Sequence, residues 1–237
     1  MDFQCYIAMT AAEYSIAEKL PENIAWMACH FSCYGTGLSN FPPALAENSM
    51  IIINDILPPS AHDPEEIADQ LRHLKESCHF SSILLDFQRE RTSKSEIIAK
   101  HICRSLDCPV GVCENYADCG NGTIFINMPK PHHALSDILS QWNGYEIWLE
   151  AAIETEMAVI RKDNCQLSST HYIEPDETYL TSTALQNRYK LDVLENHIEL
   201  TYTRDIHQLK LLLKEAKDAG VMRAIGLYQQ LGYDFTI

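Results

Sequence analysis

The segment 82–90 (SILLDFQRE) places two polar side chains, Asp86 and Gln88, at the end of an apolar run. Alternate residues of a strand share a face, so both are expected on the face of Leu84, at the rim of a sheet. A carboxylate after four apolar residues needs polar partners, because burying an unpaired charge costs several kcal/mol. Asp86 is therefore expected either to orient a substrate or to cap a loop or pair with a neighbouring strand.

Two further carboxylates, Glu114 and Glu150, close the runs GVCEN and EIWLE. Either is a candidate catalytic partner of Asp86. A carboxyl pair about 5 Å apart favours retaining glycosidase chemistry, and one about 6.5–9.5 Å apart favours inversion. The alternative is that each carboxylate makes only structural hydrogen bonds at the rim.

Other polar side chains also close apolar runs, and they are candidate ligand-binding residues. Carboxylates and amides hydrogen-bond hydroxyl groups, and tyrosine faces cover sugar rings, so this set suits a carbohydrate or another small polar ligand. The set consists of His30, Asn54, Asp55, Gln88, Asn127, Tyr202, Tyr228 and Gln229.

The elements that must position these residues alternate between apolar β-rich runs and helical patterns, which is typical of an α/β fold. Most of the runs are continuously apolar, as in parallel strands buried on both faces. The length of 237 residues is close to the roughly 250 usual for a (β/α)8 TIM barrel, where reacting groups lie at the C-terminal strand ends. We therefore predict one TIM-barrel-like domain over residues 1–237.

The predicted strands number nine, whereas a barrel has eight, so one of them must lie outside the barrel. They cover residues 4–8, 24–31, 50–54, 82–87, 110–114, 123–127, 145–150, 197–202 and 222–227. An irregular insertion is expected around residues 151–196, with a helix over 179–194. A doubly wound open sheet is the alternative fold, although no glycine-rich phosphate loop follows a strand.

Composition narrows the classes of partner. The net charge of −15 opposes binding to nucleic acid or to anionic membranes, and no apolar run reaches the ~20 residues of a membrane helix. Nine cysteines, an odd number, favour reduced thiols in a cytoplasmic protein. Cys103, Cys108, Cys113 and Cys119 lack the CxxC spacing of a zinc site, so neither a metal nor a cofactor is expected, and the oligomeric state stays open.

The strand ending in LLDF resembles the fourth barrel strand of the chitinase-type, family 18-like glycosidases, whose motif is DxxDxDxE. The closing segment LKEAKDAGVMRAIGLYQQLG resembles the end of such barrels. By this resemblance Asp86 matches the Asp two residues before the proton donor, and Gln88 matches the catalytic Glu. Leu84 and Ser81 stand where the family has further aspartates. An amide has no titrating proton and cannot be a general acid, so the resemblance implies damaged catalysis.

Three hypotheses follow, and they leave open whether the chain is an enzyme. The first is a glycoside hydrolase-like protein that acts on or binds a carbohydrate, with Glu114 or Glu150 as a replacement acid. The second is a non-catalytic ligand-binding or interaction barrel. The third is a metal-dependent lyase or isomerase that uses His30, Asp55 and Glu114.

Overall fold

The computed structural model describes residues 3–237, which group into two compact units. The first contains residues 3–126, 144–150 and 221–236, and the second contains residues 127–143, 151–220 and 237. The prediction of a single domain over residues 1–237 stays a prediction. Within the described residues, no helix combines the length and the apolar character that crossing a membrane requires.

Eight parallel strands form a closed barrel. The sheet contains β1 (Gln4–Met9), β2 (Ile24–Phe31), β3 (Leu38–Ser39), β4 (Met50–Asn54), β5 (Ser82–Asp86), β6 (Val110–Cys113), β7 (Thr123–Ile126), β8 (Glu146–Ala151) and β14 (Arg223–Leu227). The hydrogen-bonded order is β1-β14-β8-β7-β6-β5-β4-β2, and pairing of β1 with β2 closes the ring. The short strand β3 pairs antiparallel with β2 and is not part of the ring. The predicted TIM-barrel-like fold is confirmed, and the open doubly wound sheet is wrong because the sheet closes.

The continuous apolar runs form barrel strands because both of their faces are buried. The inward side chains, among them Tyr6, Ile52, Leu84 and Trp148, form one cluster inside the barrel. Outward side chains of the same strands form a second cluster with the helices α2 (Pro64–Cys78) and α3 (Ser93–Ser105). Leu84 therefore faces the interior, as its place in the strand pattern predicted.

Helix starts follow the expected capping signals. Thr10 and Glu13 form a capping box at α1 (Ala11–Ile16). Asp63 caps α2, and Pro64 occupies the first turn, where its missing N–H has no helical partner to lose. The remaining helices are α4 (Leu135–Leu139), α5 (Ile206–Asp218) and α6 (Tyr228–Leu231).

Gly111 in β6 leaves room for the indole of Trp148 inside the barrel. A Cβ at this position would lie 2.5 Å from Cε3 of Trp148, well inside contact distance. The indole cannot move freely, since it is fully buried and its Nε1 donates to Glu146 Oε1 at 2.8 Å. The guanidinium of Arg223 also lies over the indole, 4.5 Å from the ring centroid. The barrel interior thus requires a residue without a side chain at position 111.

The insertion between β8 and α5 is a regular five-stranded antiparallel sheet in the order β10-β9-β13-β12-β11. Its strands are β9 (Glu154–Arg161), β10 (Asn164–Thr170), β11 (Leu180–Ser182), β12 (Asn187–Val193) and β13 (Ile198–Arg204). The helix expected over residues 179–194 is wrong, because this stretch forms β11 and β12. The predicted strand over residues 197–202 is β13, which accounts for the ninth strand outside the barrel.

Candidate functional site

Asp86 and Gln88 meet at the C-terminal end of β5, the fourth strand of the barrel. Gln88 Nε2 donates a hydrogen bond to Asp86 Oδ1 at 2.5 Å. Asp86 lies two residues after the inward-facing Leu84, so it shares the inward face of the strand. Asp86 is partly buried, whereas Gln88 is exposed. The expected placement of the two side chains together at the rim is confirmed, and their chemical roles stay predictions.

Cys113, at the end of β6, is a neighbour of Asp86 that the sequence did not single out. Its Sγ lies 3.5 Å from Asp86 Oδ1, and it also donates to the carbonyl of Leu85 at 3.4 Å. Burial, and after it the charge of Asp86, raises the pKa of the Cys113 thiol, so the thiol stays protonated and can donate. Its position directly before Glu114 is the signal that could have identified it.

Asn54 is paired in register with Asp86 across the sheet. Its Nδ2 donates to the carbonyl of Met27 at 3.0 Å, and its Oδ1 accepts from the amide of Ile56 at 3.2 Å. Both the nitrogen and the oxygen of the Asn54 amide therefore bind the backbone, which is a structural role. The predicted ligand contact of Asn54 stays a prediction.

His30, paired in register with Asn54, is similarly engaged. Its Nδ1 lies 2.8 Å from the carbonyl of Phe31, and its Nε2 lies 2.9 Å from Nδ2 of Asn40. These contacts fit a neutral imidazole that donates through Nδ1 and accepts through Nε2. In this conformation the ring links β2 to the residue that follows β3.

Asp55 is a buried anchor of the loop that carries Gln88. The residue is only 3% exposed, and its carboxylate accepts from the amides of Gln88 at 2.8 Å and Arg89 at 3.0 Å. Two backbone donors on a buried carboxylate satisfy it without a ligand. In this conformation the carboxylate of Asp55 positions the loop at the end of β5, and its predicted ligand-binding role stays a prediction.

Glu114 begins the 3-10 turn that follows β6. The residue is exposed, yet burial by the surrounding protein raises the pKa of its carboxyl. A raised pKa keeps more of a carboxylic acid protonated near neutral pH, which is the property a general acid needs.

Glu150 belongs to β8 and lies two residues after Trp148, which points into the barrel. Side chains alternate along a strand, so Glu150 shares the inward face. It is partly buried and lies at the C-terminal end of the strand, as expected for a rim carboxylate.

Tyr228 and Gln229 begin α6, directly after β14. Gln229 lies close to the carboxyl of Glu13, which follows β1, and favours its charged form. Burial would raise the pKa of Glu13, but hydrogen bonds from the backbone and side chain of Thr10, together with Gln229, outweigh it and lower the pKa. Glu13 is thus a further carboxylate after a barrel strand, which the sequence pattern indicated only as part of a helix cap.

Asn127 and Tyr202 belong to the second compact unit. Asn127 is exposed. Within the second unit, the ring of Tyr202 lies 6.1 Å from that of His132, whose Nδ1 contacts the buried carboxylate of Glu156. The predicted ligand-binding roles of Asn127 and Tyr202 stay predictions.

A cavity of about 440 Å³ lies between the loop after β4 and the start of α3. It is lined by Asp55, Pro58, Pro59, Ser60, Arg89, Glu90, Thr92, Lys94 and Ser95. A volume of this size falls in the range of small-molecule pockets. The segments that follow β4 and β5 therefore enclose a concave space of their own.

The metal-dependent hypothesis receives no geometric support. Within residues 3–237, the group of metal-type side chains whose ligand atoms lie close together is Glu96, Asp118 and Cys119. Arg91 forms salt bridges with both of these carboxylates, at 3.0 Å and 2.7 Å, which accounts for their proximity. His30, Asp55 and Glu114 do not form such a group in the described part of the chain.

Comparison with solved structures identifies the fold. The spore cortex-lytic enzyme SleL of Bacillus megaterium QM B1551 matches with a TM-score of 0.60 and 10% identity, covering 99% of this chain and 72% of that one. A glycoside hydrolase family 18 N-acetylglucosaminidase from Paenibacillus barengoltzii matches with a TM-score of 0.59 and 7% identity, covering 95% and 94%. This chain has the fold of the family 18 glycosidases.

A third protein with this fold is the class V chitinase from Nicotiana tobaccum, solved as a Glu-to-Gln mutant in complex with NAG4. It matches with a TM-score of 0.58 and 9% identity, covering 95% of this chain and 93% of that chain. No family model and no curated protein matches the sequence. The likeness therefore lies in the fold, as the resemblance of β5 and β14 predicted.

Proposed function

We propose that this chain binds a carbohydrate at the C-terminal end of its barrel and that its glycosidase chemistry is impaired. The observation that carries the proposal is the contact between Gln88 Nε2 and Asp86 Oδ1. An amide at this position donates a hydrogen bond but cannot release a proton to a leaving group. Asp86 keeps its acceptor oxygens, so the pair retains the means to hold a sugar while lacking the acid.

The proposed ligand is an oligosaccharide of the NAG4 type. Support comes from the fold shared with glycosidases and from the chitinase mutant whose Glu-to-Gln change accompanies bound NAG4. Inward or rim carboxylates at Asp86 and Glu150 are suitable acceptors for sugar hydroxyl and amide groups.

Calorimetric titration with NAG4 tests this proposal in the wild type and in two variants. Asp86→Asn keeps the shape but removes the charge, and we expect affinity to fall about 10-fold or more, since a hydrogen bond to a charged group contributes about 1.5–3 kcal/mol. Asp107→Asn is the matched control, because Asp107 lies in the loop before β6, at the opposite end of the barrel. Absence of saturable binding to the wild type, or equal affinity in all three proteins, contradicts the proposal.

A second candidate function is an active hydrolase with Glu114 as general acid, favoured by the raised pKa of its carboxyl. Turnover of a chromogenic N-acetylglucosaminide by the wild type, abolished by Glu114→Gln and not by Asp107→Asn, would establish this alternative. Turnover by Glu150→Gln, measured in the same assay, shows which of the two predicted residues, Glu114 or Glu150, is the general acid.

Cytoplasmic location and the lack of a nucleic-acid partner are also proposals. They rest on the net charge of −15 and on nine cysteines that are all free thiols. Cell fractionation with a tagged chain tests the first, and a gel-shift titration with duplex and single-stranded nucleic acid tests the second.

A further inference from the structure

The cavity beside α3 is separate from the proposed sugar site. Its lining residues do not include Asp86, Gln88, Glu114 or Glu150. The loop after β4 forms one wall with Pro58, Pro59 and Ser60, and the segment from Arg89 to Ser95 forms the other. A ligand in this cavity therefore meets side chains that the proposed function does not use.

The cavity lining carries two cations, Arg89 and Lys94, and two carboxylates, Asp55 and Glu90. Asp55 is already satisfied by two backbone amides, so its carboxylate does not neutralise a nearby cation by direct contact. Arg89 donates through one nitrogen to the carbonyl of Ile56 at 2.8 Å, and no carboxylate contacts it within residues 3–237. Lys94 makes no hydrogen bond or ion pair with the described residues. Two cations that no carboxylate of the described residues contacts directly thus line this small cavity, beside the carboxylates of Asp55 and Glu90.

Arginine and lysine together suit an oxyanion. The planar guanidinium presents paired N–H donors that match phosphate oxygens, and the ammonium adds a point charge. Glu90 and Ser60, which also line the cavity, accept or donate hydrogen bonds to hydroxyl groups. A volume of about 440 Å³ exceeds what a lone phosphate fills, and it accommodates a small molecule that carries one.

We propose that this cavity binds the phosphate group of a small hydroxylated ligand, with Arg89 and Lys94 as the anion-binding residues. The chemistry points to a phosphorylated sugar. Free phosphate shares the same group and is the other source of it. The cavity is then a second ligand site, distinct from the proposed carbohydrate site at Asp86 and Gln88.

Titration calorimetry with glucose 6-phosphate, inorganic phosphate and glucose tests the proposal on the whole chain. We expect glucose 6-phosphate to bind and Lys94→Gln to weaken it about 10-fold or more, because a charge-assisted contact is lost. Lys94→Gln should fold normally, since Lys94 makes no hydrogen bond or ion pair with the described residues. Arg104→Gln, at the other end of α3, is the matched control and should bind as the wild type does.

The outcomes are distinct. Tighter binding of glucose 6-phosphate than of inorganic phosphate supports a phosphorylated sugar, and equal binding supports free phosphate as the occupant. Glucose binding as tightly as its phosphate, or Lys94→Gln binding as the wild type does, overturns the proposal. NAG4 binding measured on the same samples tests the proposed carbohydrate site separately, so one proposal can be contradicted while the other holds.

Discussion

The change Gln88→Glu should restore a proton donor to the end of β5. It would place a new carboxyl group where Gln88 Nε2 now lies 2.5 Å from Asp86 Oδ1. Two carboxylates about 4 Å apart repel by about 4 kcal/mol at an effective dielectric constant of about 20. Exposure of position 88 to solvent reduces this to about 2 kcal/mol, which disfavours a second negative charge on the pair. The pair then holds one proton at mildly acidic pH.

General acid catalysis contributes about 10²–10⁴-fold in rate, so hydrolysis of a chromogenic N-acetylglucosaminide at pH 5.5 should rise by that order over the wild type. The double change Asp86→Asn with Gln88→Glu should lose most of the gain, because the neutral amide no longer raises the pKa of the new acid. The reasoning is refuted if Gln88→Glu binds NAG4 like the wild type yet shows no added hydrolysis between pH 4.5 and 7.5.

Three further predictions concern the framework of the site. Gly111→Ala should lower the free energy of unfolding in urea by about 2 kcal/mol, because the new Cβ would clash with Trp148. The control Gly35→Ala should change it by less than about 0.5 kcal/mol. Equal stability of the two variants would rule out the clash. Asp55→Ala should cost about 1–3 kcal/mol and speed hydrogen exchange of the two loop amides it accepts from, and unchanged exchange would argue against the anchor. Since burial raises the folded pKa of Glu114, its contribution to stability is most favourable below the unfolded pKa and is lost as pH rises through the folded pKa. Glu114→Gln should therefore gain thermal stability relative to the wild type from pH 4 to pH 7, and a constant difference contradicts the shift.

The barrel could be predicted because its strands are continuous apolar runs of the right length, separated by helices with clear caps. The sequence pattern did not show which strands pair antiparallel outside the barrel. The stretch IELTYTR of β13 alternates between apolar and polar residues, as antiparallel strands with one solvated face do, and that alternation distinguishes it from the barrel strands. The same two-residue period in Tyr189, Leu191 and Val193 of β12 indicates a strand and not the predicted helix.

The candidate site was predictable in its location but less so in its contacts. Asp86 and Gln88 meet because they lie two residues apart at the end of one strand, a spacing that can be read from the sequence. The engagement of His30 with Asn40, and of Asp55 with loop amides, depends on how distant loops return to the strand ends. Local pattern carries no information about such returns, so these residues could be expected at the rim but not assigned to the framework.

The most direct test of the central claim is a crystal structure of the wild type soaked with NAG4. The account predicts an intact oligosaccharide at the C-terminal end of the barrel, with one of its hydroxyl or amide groups within hydrogen-bond distance of Asp86. Cleaved sugar in the density would contradict the impaired chemistry. NAG4 bound away from Asp86, or no bound sugar at saturating concentration, would contradict the site.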